Sequence, residues 1–541
     1  MLRNLCFLAL CGVAIVALAK SLSLGGSKLR PGHLANRTDV HQAIERLNAS
    51  LAEQWRRHQV EPAAPAEDLI VARRLALGLM GTAPSIEEIR QLEAISSDER
   101  IDRYLAAILD DRRCHDYLAE RLARAYVGVG DGAVIVYRRG RFVGWLSEQL
   151  RDNRPYDAVV REMLAAEGQG TDRPAVNFLL ATMRPGEGKL TPQPKELASR
   201  VSRVMLGVRI DCAECHDHPF DSWKQKDFHG LAAFFGGAKY SFSGIHDVDG
   251  AYQYEDHSTG REETISPRVP FGADGLSAEG PARVRLARWV TDAQNRRFSR
   301  ATVNRIWALM FGRGLVEPID DIHDDASLPE PLTLLADDFS AHGYDLRRLI
   351  RVIAGSRAFG LDSRLDRPVG ETISPAEHEL AWAVFPLTRL RPEQIAGCLE
   401  QSSSLATYDD RRSLLLRAAK TIETGDFLKR YGDLGENEMD DQGGTVPQRL
   451  LMMNGNLVRN KTRSNPLSAL LLATTQIALL ASSDRQAVDV AYLAVLSRHP
   501  SPDEQDHFSA RLADTRGRER ARRLDDLCWT LMNSTEFSWN H

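Results

Sequence analysis

Apolar residues recur at helical spacing along most of this 541-residue chain. Side chains three and four positions apart lie on the same face of a helix, so this repeat predicts amphipathic helices that bury one face. The predicted helices are 40–58, 69–79, 100–109, 142–150, 283–292, 332–342, 346–354, 380–399, 414–422, 467–480 and 524–532. The pattern therefore predicts a mostly α protein.

Helical periodicity is lost between residues 238 and 282, where Gly, Ser and Asp become frequent. Long segments of this kind are uncommon in compact proteins unless they cover a site. We therefore predict an N-terminal helical domain at 67–237, an irregular connecting segment at 238–282 and a C-terminal helical domain at 283–541. The connecting segment leaves room for minor β structure.

The first residues predict export. Arg3 precedes an apolar run from Leu5 to Ala19, and the run ends in the small-x-small pattern that signal peptidases cleave. We assign residues 1–19 to a signal peptide and 20–66 to a spacer and helical linker, and we place the protein in the periplasm or cell envelope. The apolar run is shorter than the about 20 residues that span a bilayer, so an uncleaved N-terminal segment is the only membrane contact expected.

Composition excludes some partners. The net charge is -5, and Lys and Arg are spread evenly without a basic block, so no nucleic-acid partner is expected. Seven cysteines in so long a chain do not predict a disulfide scaffold. The sequence contains no GxSxG, Walker-type, HExxH or GxGxxG motif, so whether the protein is an enzyme stays open.

One short motif carries specific chemistry. Cys212 and Cys215 are separated by two residues and followed at once by His216, which is the spacing that attaches a c-type haem. Both thiols can reach a vinyl group of the porphyrin, and the adjacent imidazole can ligate the iron. An apolar face from Leu197 to Val208 predicts a helix that ends at the motif. Export favours haem c as the cofactor, because covalent haem attachment takes place outside the cytoplasm.

The sixth iron ligand is left open among His257, His246, His218, Met205 and an empty position. A filled position favours electron transfer, whereas an empty one permits small-ligand chemistry. Electron transfer with a redox partner protein is the simplest function.

Two other interpretations compete with haem. The two thiols with His216 or His218 could bind zinc, but no second CxxC closes the tetrahedron, so a distant ligand such as His257 or His323 would be needed. The acidic cluster at 320–325, with Asp321 and His323, could also bind a divalent metal. The third interpretation is an exported structural or interaction protein without haem.

Longer segments resemble a known family. Residues 196–235 resemble the signature of the domain of unknown function 1549. The segments ATVNRIW, FGRGLVEPIDD and ADDFSAHGYDLRRLIRVIAGSRAF resemble its usual partner, domain 1553. The resemblance implies an exported, mostly helical, planctomycete-type protein that is often associated with cytochrome c modules, and it brings no established activity.

The chain departs from the family pattern at two places. Ser327-Leu328-Pro329 stands where the family commonly has Ser-His-Pro, so that histidine has no counterpart here. His229 stands where the family usually has an aromatic residue, which argues against His229 as a general ligand. By the same resemblance His257 corresponds to a family histidine and is the better candidate for the distal iron ligand.

Overall fold

Helices form most of the chain, as the apolar periodicity predicts. The computed structural model describes residues 37–130, 136–186, 189–219, 221–257, 259–323, 328–365, 375–407, 424–432, 444–462 and 473–541. The predicted signal peptide and the predicted helix at 414–422 lie outside these residues. Within the described ranges no helix combines the length and the apolar character needed to cross a bilayer.

The helices before the motif follow one another closely. They are α1 (Arg37–His58), α2 (Asp68–Met80), α3 (Ile86–Glu93), α4 (Ser97–Asp110), α5 (Arg112–Val127), α6 (Arg139–Arg151), α7 (Tyr156–Ala165), α8 (Asn177–Leu180) and α9 (Pro194–Arg200). Local chemistry sets several of their ends. Ser85 and Glu88 form a reciprocal capping box at the start of α3, which satisfies backbone N–H groups that have no partner inside the helix.

The helices after the motif continue the pattern. They are α10 (Gln225–Ala232), α11 (Ala282–Val290), α12 (Arg296–Phe311), α13 (Glu330–Ala341), α14 (Leu346–Ala354), α15 (Pro375–Leu380), α16 (Pro392–Ser402), α17 (Val446–Asn454), α18 (Asn456–Thr462), α19 (Ala473–Leu480), α20 (Asp484–Leu496), α21 (Pro502–Leu512) and α22 (Gly517–Met532).

The β structure consists of antiparallel two-stranded pairs. They are β1 (Arg184–Gly186) with β2 (Lys189–Thr191), β3 (Ala238–Ser241) with β4 (Gly244–Asp247), β5 (Tyr252–Asp256) with β6 (Arg261–Ile265), and β7 (Thr388–Arg389) with β8 (Trp539–Asn540). The two middle hairpins occupy the predicted connecting segment. Gly244 lets the β3–β4 hairpin approach the chain after α7, because a Cβ there would lie 2.1 Å from the backbone of Gly168.

In the part of the chain that the structure describes, buried side chains form two core clusters. The larger takes residues from Ala43 to Phe385 and so includes helices on both sides of the connecting segment. The smaller combines side chains from α2 and α3 with residues from Leu390 to Phe537. The change from one core to the other therefore falls after Phe385, and the segment 238–282 joins elements that share a core.

The buried Arg74 ties the chain terminus to the larger core. Its guanidinium donates to the carbonyl oxygens of Phe359 and Leu361 at 2.9 and 2.6 Å and to that of His541 at 2.8 Å. It also lies 3.7 Å from the centre of the Phe385 ring. Burial lowers the pKa of Arg74 to about 9, because the charged form loses its hydration.

One predicted helix is wrong over half its length. Residues 381–391 are not helical, and the helix within the predicted range 380–399 begins only at Pro392. Trp382 and Phe385 are buried against the core, and Thr388 and Arg389 pair with the end of the chain. Their contacts are with distant residues, which the local apolar spacing cannot indicate.

Candidate functional site

The segment that carries the CxxCH motif leaves its helix early. After α9 the backbone forms a π-helical turn at Val201–Met205, and the motif begins on a separate 3-10 turn at Asp211–Glu214. Gly207 makes the break between them with a φ of +62°, and a Cβ there would press on Ile322 at 3.1 Å. The predicted helix from Leu197 to Val208 is therefore helical up to Met205, its last turn is π-helical, and it does not reach the motif. Such π-helical turns frequently mark functional sites.

The three motif side chains are all exposed. Cys212 and Cys215 are exposed free thiols that are not joined in a disulfide, and His216 is exposed beside them. Nδ1 of His216 lies 2.8 Å from the carbonyl oxygen of Asp217. A carbonyl only accepts, so Nδ1 is the donor in this hydrogen bond, and Nε2 is the nitrogen that could ligate a metal.

Two side chains from α10 hold the middle of the motif. The carbonyl oxygen of Glu214, between the two cysteines, lies 3.0 Å from Nε2 of His229 and 3.3 Å from Nε2 of Gln225. Nδ1 of His229 lies 3.1 Å from the Tyr252 hydroxyl, and the imidazole stacks on Tyr254 at 4.1 Å between ring centres. Burial lowers the pKa of His229, so the buried imidazole is neutral at pH 7.

Gln225 also connects the motif to the β5–β6 hairpin. Its side-chain nitrogen donates to the Glu255 carbonyl at 3.0 Å, and its side-chain oxygen accepts from the backbone N–H of His257 at 3.4 Å. The backbone N–H of Gln225 bonds Asp217 at 3.0 Å, which with Lys224 lowers the pKa of that carboxyl. The structure thus places the exposed His257 at the hairpin turn next to the motif, and its role as an iron ligand stays a prediction.

The remaining predicted ligands are dispersed. His218 is half-buried, and its backbone N–H donates to the Trp223 carbonyl at 2.8 Å. Asp321 accepts from the backbone N–H of Arg209 at 3.3 Å, and Nδ1 of His323 lies 3.9 Å from a carboxylate oxygen of Asp221. No set of three or more His, Cys, Asp or Glu side chains in the described part of the chain could hold a metal ion. Residues 220, 324 and 325 lie outside it.

Ion pairs of Asp320 hold the acidic cluster beside the motif. Its carboxylate accepts from Arg203 at 2.8 Å and from Arg209 at 2.7 Å, and both arginines precede the motif. Although burial raises the pKa of Asp320, these hydrogen bonds lower it below the ordinary value. The cluster thus contains an ion-paired carboxylate that fixes the segment before the motif.

Sequence reasoning missed the residues that support the motif. Gln225 and His229 are almost fully buried, yet they lie within an amphipathic pattern that gives no sign of their partners. Two buried polar residues four positions apart were the signal available, since a buried polar group needs a hydrogen-bond partner. Both ring nitrogens of His229 are bonded, so its role is to position the motif.

The fold and the site define a mostly helical protein with an exposed CxxCH segment held by a neighbouring helix. Residues 46–240 match the family model described as Protein of unknown function (DUF1549), and residues 282–512 match Protein of unknown function (DUF1553). The chain belongs to the family that carries these two domains in tandem, which confirms the resemblance. No curated protein and no solved structure matches the chain.

The site lies where the two matched regions of the chain meet. The motif lies in the first matched region, and Asp320, Asp321 and His323 lie in the second. The ion pairs of Asp320 with Arg203 and Arg209 therefore join the two regions next to the motif.

Proposed function

We propose that the CxxCH segment carries a covalently attached haem c and that this exported protein exchanges electrons with a redox partner protein. The observation that carries the proposal is the exposure of two free thiols and of an imidazole whose Nδ1 is bonded to a carbonyl oxygen. The predicted signal peptide supports it, because haem attachment takes place outside the cytoplasm.

The residues present fit the group. Cys212 and Cys215 would hold it through thioether bonds, and His216 would ligate the iron through Nε2. The carbonyl of Asp217 fixes the ring orientation of His216, as backbone carbonyls commonly do for metal-ligating histidines. When bound, the haem supplies one-electron chemistry at a potential that its ligands and exposure set.

The surrounding chain contributes rigidity and access. His229 and Gln225 fix the carbonyl between the two cysteines, so the thiols keep their spacing without a disulfide. Side chains of the motif are exposed, which gives a partner protein direct access to this face. Covalent attachment suits such a site, because thioether bonds hold the group without an enclosing apolar cavity.

The test is expression of the full chain with a cytochrome c maturation system. We expect a Soret band and a haem stain at the mass of the protein on a denaturing gel. Replacement of both motif cysteines (Cys212→Ala with Cys215→Ala) should abolish the stain. Cys114→Ala is the matched control, because it removes a buried thiol outside the motif and should leave the stain unchanged.

Absence of the stain from the wild-type protein would refute haem attachment. Elemental analysis of the same sample then separates the alternatives. Zinc in place of iron would favour the metal-binding interpretation, and neither metal would favour the structural or interaction protein.

The spectrum also tests His257. If its imidazole fills the sixth position, His257→Ala should convert a low-spin spectrum to a high-spin one while the haem stain persists. An unchanged spectrum would exclude His257 as the ligand.

A further inference from the structure

A charged cavity borders the motif, and Glu214 from the motif forms part of its lining. Its volume is about 490 Å³, and it opens between the segment from Gln193 to Arg209 and the helix α12. Its cationic side chains are Arg184, Lys195, Arg200, Arg203, Arg209 and Arg305. Among the described residues, the lining carboxylates are Glu196, Glu214 and Asp320, and Asp211 lies 3.9 Å from Arg203. The cations still outnumber these carboxylates, although the whole chain has a net charge of -5.

Most of these cations already have carboxylate partners. Arg203 and Arg209 bond Asp320 at 2.8 and 2.7 Å. Lys195 lies 3.2 Å from Glu214. Arg184 lies 3.1 Å from Glu196. These pairs account for the three carboxylates among the described residues that line the cavity.

Arg305 differs from them. It lies on α12, is only 8% exposed, and its Nε is buried without a hydrogen-bond partner. No carboxylate or carbonyl of the described chain accepts a bond from its guanidinium. A buried charge without a counter-charge is costly, because it loses hydration and gains nothing in return. Its position at the cavity wall leaves the guanidinium accessible to an anion that enters the cavity.

We propose that this cavity binds a small organic anion and that Arg305 is the residue that recognises its negative group. A guanidinium presents a planar set of donors that matches the oxygens of a carboxylate, sulfate or phosphate. The cavity is larger than a bare inorganic ion and falls in the size range of small-molecule sites. Its charged lining selects a polar ligand. The inference does not depend on haem.

The experiment is calorimetric titration of the full-length protein at low ionic strength. The probes are sodium sulfate, inorganic phosphate, succinate and citrate, which separate the three kinds of oxyanion and the need for an organic body. We expect saturable one-site binding, with an organic anion bound more tightly than sulfate or phosphate. Failure of all four probes to bind the wild-type protein would overturn the proposal.

Arg305→Gln should weaken binding at least about tenfold, because it removes a desolvated charged donor. Arg296→Gln is the matched control, since it makes the same charge change at an exposed position on the same helix. We expect the control to change affinity less than about twofold, because solvent and salt screen its charge. Equal losses in the two variants would overturn the assignment of Arg305.

Two further measurements keep the test decisive. If Arg305→Gln does not fold, the wild-type protein should still melt at a higher temperature with succinate than with chloride at equal ionic strength, because a ligand of the native state stabilises it. An unchanged melting temperature would count against the site. Haem itself carries two carboxylates that could occupy the cavity, so the titration is repeated with protein that has undergone haem maturation. Binding that is lost only in the haem-bearing sample would refute the proposal that the cavity takes a ligand other than haem.

Discussion

Replacing His229 with Phe tests whether a buried neutral imidazole holds the CxxCH turn. Phe keeps the aromatic contacts with Tyr254 and removes two hydrogen bonds, one to the Glu214 carbonyl and one to the Tyr252 hydroxyl. Each bond contributes about 1 kcal/mol net. Gln225 still donates to the same carbonyl, and the Phe ring adds apolar burial. We therefore expect a loss of about 1–2 kcal/mol in the free energy of unfolding at pH 8.

The loss should depend on pH with a defined sign. Burial lowers the pKa of His229 in the folded protein, whereas the unfolded chain titrates near 6.5. Below pH 6.5 the unfolded chain therefore binds a proton that the folded protein does not, and wild-type stability falls. The Phe variant lacks this contribution, so the difference between the two proteins should shrink at up to about 1.4 kcal/mol per pH unit.

The assay is urea unfolding of both proteins at pH 8, 7, 6 and 5. Contributions from other histidines cancel in the difference because both proteins contain them. Tyr252→Phe is the control, since it removes one bond but leaves His229 buried, and its loss of about 1 kcal/mol should vary much less with pH. A difference between wild type and His229→Phe that stays constant from pH 8 to pH 5 would refute the neutral buried imidazole.

Two other predictions concern stability elsewhere in the fold. Arg283→Met should lower the free energy of unfolding, measured in urea, by about 3–5 kcal/mol, because it leaves the Asp247 carboxylate and two carbonyls without their buried donor. Arg288→Met, at an exposed position on the same helix, is the control and should change the free energy of unfolding little. His499→Gln should destabilise the protein at pH 6 and much less at pH 9. Although burial lowers the pKa of His499, two carboxylates raise it overall. The protonated imidazole therefore stabilises the folded protein fully below pH 6.5, and this stabilisation is lost as the pH rises through the raised pKa. Equal losses at both pH values would contradict this ion pair.

Helices that are specified by their own residues, through apolar spacing and a capping residue, were predictable from the sequence. The range 346–354 was predicted from apolar spacing alone and is the observed helix, since Asp345 caps its first turn and its apolar face meets the core. The predicted range 380–399 failed in its first half because Trp382 and Phe385 pack against distant helices. The CxxCH motif was visible in the sequence because its two thiols and its imidazole lie within five residues, and its assignment to haem stays a prediction.

The sequence by itself determined the helical class, the paired domains and the chemical identity of the CxxCH groups. Tertiary structure alone decided what surrounds them: His229 and Gln225 on the Glu214 carbonyl, Asp320 against Arg203, and Arg305 at the wall of a charged cavity. The physical reason is range. Helical periodicity and motif spacing arise within a few residues, whereas Asp320 and Arg203 meet only because the chain folds back over more than a hundred positions.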